Sequence, residues 1–249
     1  MRLFGLIGYP LGHSFSEGYF RDKFIKENIT DCEYRNFPIR SVKEIRIILK
    51  ENPQLEGLNV TIPYKKQIIP FIDNLFSPAE EIGAVNTIKI ETTPGSPVQL
   101  LKGYNTDIHG FITSLQDVLH DGVDKALIMG SGGAAAAVKY ALSNMGISTQ
   151  IVSRKFSENT LSYDELDEKI MNEHLLLVNT SPLGTYPEIH KAPDIPYNHI
   201  GSSHILYDLV YNPSETLFMK KGKEQGASVK NGYDMLVSQA EKSWEIWNK

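Results

Sequence analysis

Apolar residues run along this chain in short, nearly unbroken bursts separated by segments with helical spacing, a pattern expected of strands buried on both faces and joined by helices. Leu3 to Gly8 is the first burst, and Tyr9-Pro10-Leu11-Gly12 closes it as a turn. The spacing of Tyr19, Phe20, Phe24 and Ile25 then predicts a helix, preceded by His13-Ser14-Phe15-Ser16, in which either serine can cap it. A second strand is expected over Glu33–Ile39 and a helix over Val42–Leu49. In Gly57–Lys66, Leu58, Val60 and Ile62 alternate with Asn59 and Thr61, the period of a strand. Pro63 ends that strand and suits the first turn of a helix, which is expected to carry Lys65 and continue through Ile68–Leu75. Gly83–Ile90 and Val98–Tyr104 read as two strands of a hairpin around a Thr-, Pro-, Gly- and Ser-rich loop. Asn105-Thr106-Asp107 then opens a helix through Phe111, Ile112 and Leu115.

The pattern starts afresh at Lys125. Ala126–Met129 is a buried strand, Gly130-Ser131-Gly132-Gly133-Ala134 a turn into a helix, and Thr149–Val152 the next strand. Strands are also expected at His174–Val178, Ile205–Leu209 and Ala227–Lys230. A last helix follows Gly232, with Met235, Leu236, Val237, Ala240, Trp244 and Trp247 on its packing stripe and Gln239 facing elsewhere. The β-α-β rhythm implies parallel strands with right-handed crossovers.

Composition narrows the function. The chain has 249 residues, of which 41% are hydrophobic, a size at which one core begins to divide in two. With 25 basic and 30 acidic residues its formal charge is −5, which offers no electrostatic footprint for nucleic acid or an anionic membrane. No run approaches the roughly 20 apolar residues of a membrane span. The single cysteine, Cys32, excludes an intramolecular disulfide and a cysteine-rich zinc site, and no metal-ligand spacing appears. The expectation is a cytoplasmic protein acting on a small molecule, monomer or homodimer, with no nucleic-acid and no membrane partner.

The candidate chemistry gathers at strand ends, where ligands bind in open α/β sheets. Asn59, Thr61 and Lys65 offer an amide, a hydroxyl and an ammonium group suited to a hydroxylated substrate, although exposed lysines on a solvated loop would read the same way. Asp107 falls in a first helical turn, where a carboxylate also favours the helix dipole. The Gly130–Ala134 turn lets the backbone approach a phosphate at a helix N-terminus. After the next strand stand Ser153-Arg154-Lys155 rather than a carboxylate, two cations and a hydroxyl that suit the 2′-phosphate of NADP over NAD.

Taken together, Ser14-Phe15-Ser16, Asn59-Val60-Thr61-Ile62-Pro63 with Lys65, Gly83-Ala84-Val85-Asn86-Thr87, Gly103-Tyr104-Asn105-Thr106-Asp107, the Gly130–Ala134 loop, Asn179-Thr180-Ser181-Pro182, Asp208–Pro213 and Gly232 leading to Gln239 resemble, in order and over nearly the whole chain, the shikimate dehydrogenase family. The resemblance implies a two-domain α/β enzyme. Residues 1–105 and 232–249 would form a substrate domain with a mostly parallel sheet, residues 106–231 a Rossmann-like NADP domain, and the active site the cleft between them. It implies that Ser14, Ser16, Asn59, Thr61, Asn86, Tyr211 and Gln239 hold shikimate, that Lys65 and Asp107 are the catalytic pair, and that Gly130, Ser131, Gly132, Gly133, Ala134, Ser153, Arg154, Lys155, Thr180 and Gly232 hold NADP. The implied reaction is the reversible reduction of 3-dehydroshikimate to shikimate, a step toward chorismate and the aromatic amino acids. A secondary-alcohol oxidation needs a hydride acceptor and a proton acceptor. A carboxylate beside a lysine favours the ammonium form, so the pair is expected to share and relay the proton.

The chain departs from the family pattern at Glu17-Gly18-Tyr19-Phe20, where a proline and a His-Asn pair are usual, at Ser131 and Ser153-Arg154-Lys155, and at Thr185 in place of a methionine. Alternative readings are a quinate/shikimate dehydrogenase using NAD or NADP, a non-catalytic NADP-binding regulatory protein, and a folate-linked dehydrogenase. The joint presence of Lys65, Asp107 and Gln239 speaks against the regulatory protein, and a folate-linked dehydrogenase would not need this carboxylate- and hydroxyl-binding set.

Overall fold

The computed structural model describes residues 1–12, 14–92, 99–154 and 159–249. The chain divides into two units, Met1–Asp107 with Gln239–Lys249, and Ile108–Ser238.

The first unit is built from β1 (Arg2–Gly8), α1 (Phe15–Lys26), β2 (Cys32–Pro38), α2 (Ile45–Glu51), β3 (Leu55–Val60), β4 (Asn74–Leu75), α3 (Ala79–Ile82), β5 (Thr87–Thr92) and β6 (Gln99–Tyr104). Its sheet has the order β2-β1-β3-β5-β6-β4. β1 runs parallel to β2 and β3, whereas β5 is antiparallel to both β3 and β6. Side chains alternate across β1: Leu3 and Ile7 enter one core with Leu58, Val60 and Ile88, while Phe4 and Leu6 enter another with Phe20, Tyr34 and Trp247. Each fully buried side chain of this size contributes about 1.5–3 kcal/mol, so β1, apolar toward both faces, is committed to the middle of the sheet. Gly57 of β3 lies under the Trp247 ring, whose Nε1 donates to the Ile88 carbonyl at 3.0 Å.

The second unit follows with α4 (Asp107–Gln116, starting at the boundary), β7 (Lys125–Met129), α5 (Gly133–Asn144), β8 (Ser148–Val152), β9 (Thr160–Leu161), α6 (Glu168–Glu173), β10 (Leu176–Asn179), β11 (Ile205–Asp208), α7 (Leu217–Glu224), β12 (Ser228–Asn231) and the start of α8 (Tyr233–Trp247), which belongs to the first unit from Gln239 onward. All of its strand pairs are parallel, in the order β9-β8-β7-β10-β11-β12. The chain therefore begins mid-sheet, winds outward to β9, returns beside its starting strand and winds out the other way. This doubly wound order leaves a crevice at the carboxyl ends of β7 and β10, where the direction reverses. Ala126–Met129 and Leu176–Val178 are wholly buried, as sheets covered on both faces require. Among the described residues no helix is long and apolar enough to cross a membrane.

Two elements differ from the sequence expectation. The helix expected to carry Lys65 and run through Ile68–Leu75 is absent; a series of turns leads to a short 3-10 segment at Ile69–Phe71 and then to β4. The Lys65 carbonyl accepts the Val85 N–H at 2.8 Å, and Asp73 and Phe76 donate to Leu101 and Gly103. Pairing with distant strands therefore takes the groups a helix would have used. The strand expected from Gly83 begins only at Thr87, because α3 ends at Gly83, whose φ is +65°.

Candidate active site

Lys65 follows β3 on a turn fixed from two sides. Its neighbour Tyr64 is buried and donates its hydroxyl to the Ile39 carbonyl at 2.6 Å. The Lys65 side chain is left partly open, and its Nζ stands 2.6 Å from Asp107 Oδ2. With exposures of 33% and 17%, the pair is reachable by a solute yet partly shielded from water.

Asp107 is held by the two residues before it. Asn105 Oδ1 accepts the Asp107 N–H at 3.1 Å, an Asx turn that starts α4, while Asn105 Nδ2 donates to the Ala84 carbonyl at 3.0 Å. The Thr106 N–H donates to Asn86 Oδ1 at 2.7 Å. The carboxylate is thereby tied to the Gly83–Thr87 segment rather than to the helix dipole alone.

Asn59 and Asn86 lie in a buried polar network, 4% and 3% exposed. Asn59 Oδ1 accepts the Tyr34 hydroxyl at 2.8 Å, and its Nδ2 faces Ser243 Oγ at 3.0 Å and Thr87 Oγ1 at 3.3 Å. Asn86 Nδ2 donates one proton to Thr106 Oγ1 at 3.0 Å. Ser243 Oγ also meets Thr87 Oγ1 at 2.8 Å and donates to the Gln239 carbonyl at 2.9 Å. Tyr34 is bonded to Ser16 as well, and burial pushes its phenol upward. Ser16, Tyr34, Asn59, Ser243, Thr87, Thr106 and Asn86 thus form one hydrogen-bonded chain within the first unit. From Tyr34 to Asn86 both partners of each bond are buried, which makes those bonds obligatory, because an unpaired polar group there costs about 1–3 kcal/mol. Tyr34, Thr87, Thr106 and Ser243 were not among the candidates read from the sequence. The available signal was Ser243 four residues after Gln239, on the same helical face.

The other candidates of this unit take varied places. Ser14 caps α1, its Oγ accepting the Glu17 N–H at 3.4 Å, so the capping role weighed for the serines is present. Thr61 is part-buried just past β3, and Gln239 is buried in α8.

In the second unit, a cavity of about 450 Å³ sits at the carboxyl ends of β7, β8 and β10, lined among others by Gly130, Ser131, Gly132, Ser153, Arg154 and Thr180. Gly130 has a φ of +121°, and a Cβ there would stand 2.6 Å from Thr180 Oγ1, so only glycine lets this turn close against β10. Gly132 precedes α5 without a capping side chain, and a Cβ on it would meet no protein atom, which leaves the first-turn N–H groups open to an anion. Ser131 Oγ lies 3.4 Å from Ser153 Oγ, beside the exposed Arg154. This set fits a dinucleotide phosphate: backbone donors and space at the helix start, hydroxyls and a guanidinium at the next strand end. Tyr163 also lines the cavity, its phenol raised by burial. Lys155 lies outside the described residues. Gly232 does not line this cavity; a Cβ on it would press within 2.8 Å of the Leu209 carbonyl carbon, so its place is one of close backbone packing. Tyr211, partly exposed, stands three residues after β11. Another cavity, of about 460 Å³, opens beside Arg2, Leu55 and Trp247 and is lined by none of the candidate residues.

Residues 6–88 match the family model described as the shikimate dehydrogenase substrate binding domain. A curated relative, the shikimate dehydrogenase (NADP(+)) of Clostridium beijerinckii, is 38% identical over 267 residues, covering 100% of this chain and 93% of its own. The crystal structure of shikimate dehydrogenase from Aquifex aeolicus is similar at 32% identity and a TM-score of 0.84, over 99% of this chain and 92% of that one. That of shikimate 5-dehydrogenase from Thermus thermophilus, in complex with NADP(H) and shikimate, shares 27% identity and a TM-score of 0.82, over 99% and 93% of the two chains.

Proposed function

The chain belongs to the shikimate dehydrogenase family, and from that premise we propose that Lys65 and Asp107 move the proton in its reaction. It is an NADP-dependent oxidoreductase acting on a CH–OH group, interconverting shikimate and 3-dehydroshikimate. The observation that carries the catalytic assignment is the 2.6 Å Lys65–Asp107 pair beyond β3, partly open to a solute.

When bound, NADP supplies the acceptor for the hydride that leaves the alcohol carbon. The hydroxyl proton has to leave as well. Lys65 Nζ, directed by Asp107, hydrogen-bonds the substrate oxygen and stabilises the negative charge that oxygen carries as its proton leaves, charge that is drawn into the new C=O bond as the hydride departs. As the O–H proton passes to Lys65, a Lys65 proton passes to Asp107 Oδ2, so the pair gains one proton while the substrate becomes the ketone. Reduction runs these transfers in reverse. Ser14, Ser16, Thr61, Asn86 and Gln239 are assigned to the substrate's carboxylate and hydroxyls. Asn86 keeps one amide proton beyond its bond to Thr106, which suits it to an acceptor oxygen. Asn59 contributes chiefly by holding that network, its amide already engaged by Tyr34 and Ser243. Ser131, Ser153 and Arg154 are assigned to the 2′-phosphate.

The test is absorbance at the NADPH band with shikimate or quinate, each with NADP⁺ or NAD⁺. Turnover dominated by shikimate with NADP⁺ is expected. Comparable rates with NAD⁺ would refute the 2′-phosphate assignment, and no turnover with either substrate, in protein that binds NADP⁺, would refute the catalytic one.

A further inference from the structure

Asp208 ends β11 with no exposed surface, and among the described residues no lysine, arginine or histidine pairs with it. Its carboxylate is met instead by three donors: Asn179 Nδ2 at 2.9 Å, the Val210 N–H at 3.0 Å and Thr216 Oγ1 at 2.6 Å. Burial outweighs these bonds and pushes the carboxyl up to about 6.

We propose that Asp208 is a positioning residue for the nucleotide site, its carboxylate setting the amide orientation of Asn179 and through it the shape of the 180–184 loop. The proposal rests on the reading of the Ile108–Ser238 unit as the NADP-binding one. A carboxylate can only accept, so Asn179 must turn its NH₂ toward Asp208. Its Oδ1 is then directed the other way, where it accepts from the Ser181 N–H at 3.0 Å and the Ser181 hydroxyl at 2.6 Å. The remaining Nδ2 proton reaches the Leu183 carbonyl at 3.3 Å. One amide therefore staples both ends of a loop whose Thr180, Ser181, Pro182 and Leu183 line the nucleotide cavity. Thr180 between them donates through N–H and Oγ1 to the Met129 carbonyl, at 3.0 and 2.8 Å, next to Gly130. Asp208 and Asn179 themselves do not line the cavity. A neutral amide of the same shape at position 208 could offer either its NH₂ or its oxygen to Asn179, and the single orientation would be lost.

The test is isothermal titration of NADP⁺ into the full-length protein. Asp208→Asn is expected to weaken the Kd about tenfold, the effect of losing one charge-assisted bond that shapes the site. Thr216→Ala, which removes a different donor to Asp208 and the cap of α7, is expected to lower the thermal midpoint and leave the Kd within about twofold. An unchanged Kd in folded Asp208→Asn, or an equal loss in Thr216→Ala, would overturn the proposal. If Asp208→Asn does not fold, amide exchange in the wild-type protein decides: strong protection at Ser181 N–H supports the staple, and exchange as fast as in exposed loops overturns it. Wild-type protein that fails to bind NADP⁺ would overturn the reading of the site and the proposal with it, an outcome distinct from wild-type binding that Asp208→Asn retains.

Discussion

Replacing Lys65 with methionine removes the ammonium group while keeping most of the side chain's length and apolar stem. The structure separates two consequences. As an ion pair, Lys65–Asp107 is 33% and 17% exposed, so its loss costs on the order of 1 kcal/mol of stability, a fall in Tm of about 2–4 °C for a protein of this size. As a proton-transfer group, a positioned side chain contributes about 10²- to 10⁴-fold, or roughly 3–5 kcal/mol of barrier. Lys65→Met should therefore lower kcat for shikimate oxidation by at least about a hundredfold while the fold stays nearly as stable. Asp107→Asn should follow it in kcat, and the double variant should lose little more than either alone, because the two groups act as one unit. The assay is initial rates at the NADPH band across shikimate concentrations at saturating NADP⁺, with thermal denaturation in parallel. A Lys65→Met protein with full kcat and only a raised KM would refute the proton-transfer role and leave Lys65 as a binding residue. A collapse of Tm would show that the pair is chiefly structural.

Tyr34→Phe leaves the buried Asn59 Oδ1 without its hydroxyl donor and should cost about 1–3 kcal/mol in urea unfolding, with a raised KM for shikimate; wild-type stability would argue that the network tolerates gaps. Gly57→Ala places a Cβ 2.5 Å from Trp247 Cδ1, forcing the ring off its bond to Ile88, and should destabilise by about 1–3 kcal/mol with an altered tryptophan emission; an unchanged midpoint would contradict the close packing of β3 under α8. The Asp208 carboxyl, raised from 3.8 to about 6, binds its proton more tightly folded than unfolded. Its stabilising contribution is therefore present below about pH 4 and fades as the pH rises through about 6, a loss on the order of 3 kcal/mol. Urea unfolding should accordingly show Asp208→Asn gaining on the wild type between pH 4 and 7, and a pH-independent difference would refute the shift.

Most of the secondary structure was legible because burial on both faces leaves a period of its own. Leu3 to Gly8 and Ala126–Met129 are apolar runs bounded by turn residues, and each is a strand at nearly the expected bounds. Glycine chemistry was legible at Gly130, where the expected phosphate turn has a φ of +121° and lines a cavity. The segment after Pro63 was not, because Lys65, Asp73 and Phe76 make their backbone bonds to Val85, Leu101 and Gly103, partners that local spacing cannot reveal.

Local steric preference and the area of apolar surface each segment must bury set the alternation of strands and helices, the polar groups at strand ends, and the residue types able to transfer a proton or cradle a phosphate. Which polar groups bond to one another follows instead from packing between segments distant in sequence. The resemblance casts Asn59 and Asn86 alike as substrate-holding amides, yet one is engaged by Tyr34 and Ser243 while the other keeps one amide proton unbonded among the described residues. Asp208 is a single carboxylate within an otherwise apolar expected strand, and only the packed structure shows it fully buried and bonded to Asn179. The difference arises because a buried hydrogen bond must be made by some partner, and that partner, often far away in sequence, is chosen by how the sheets and helices pack.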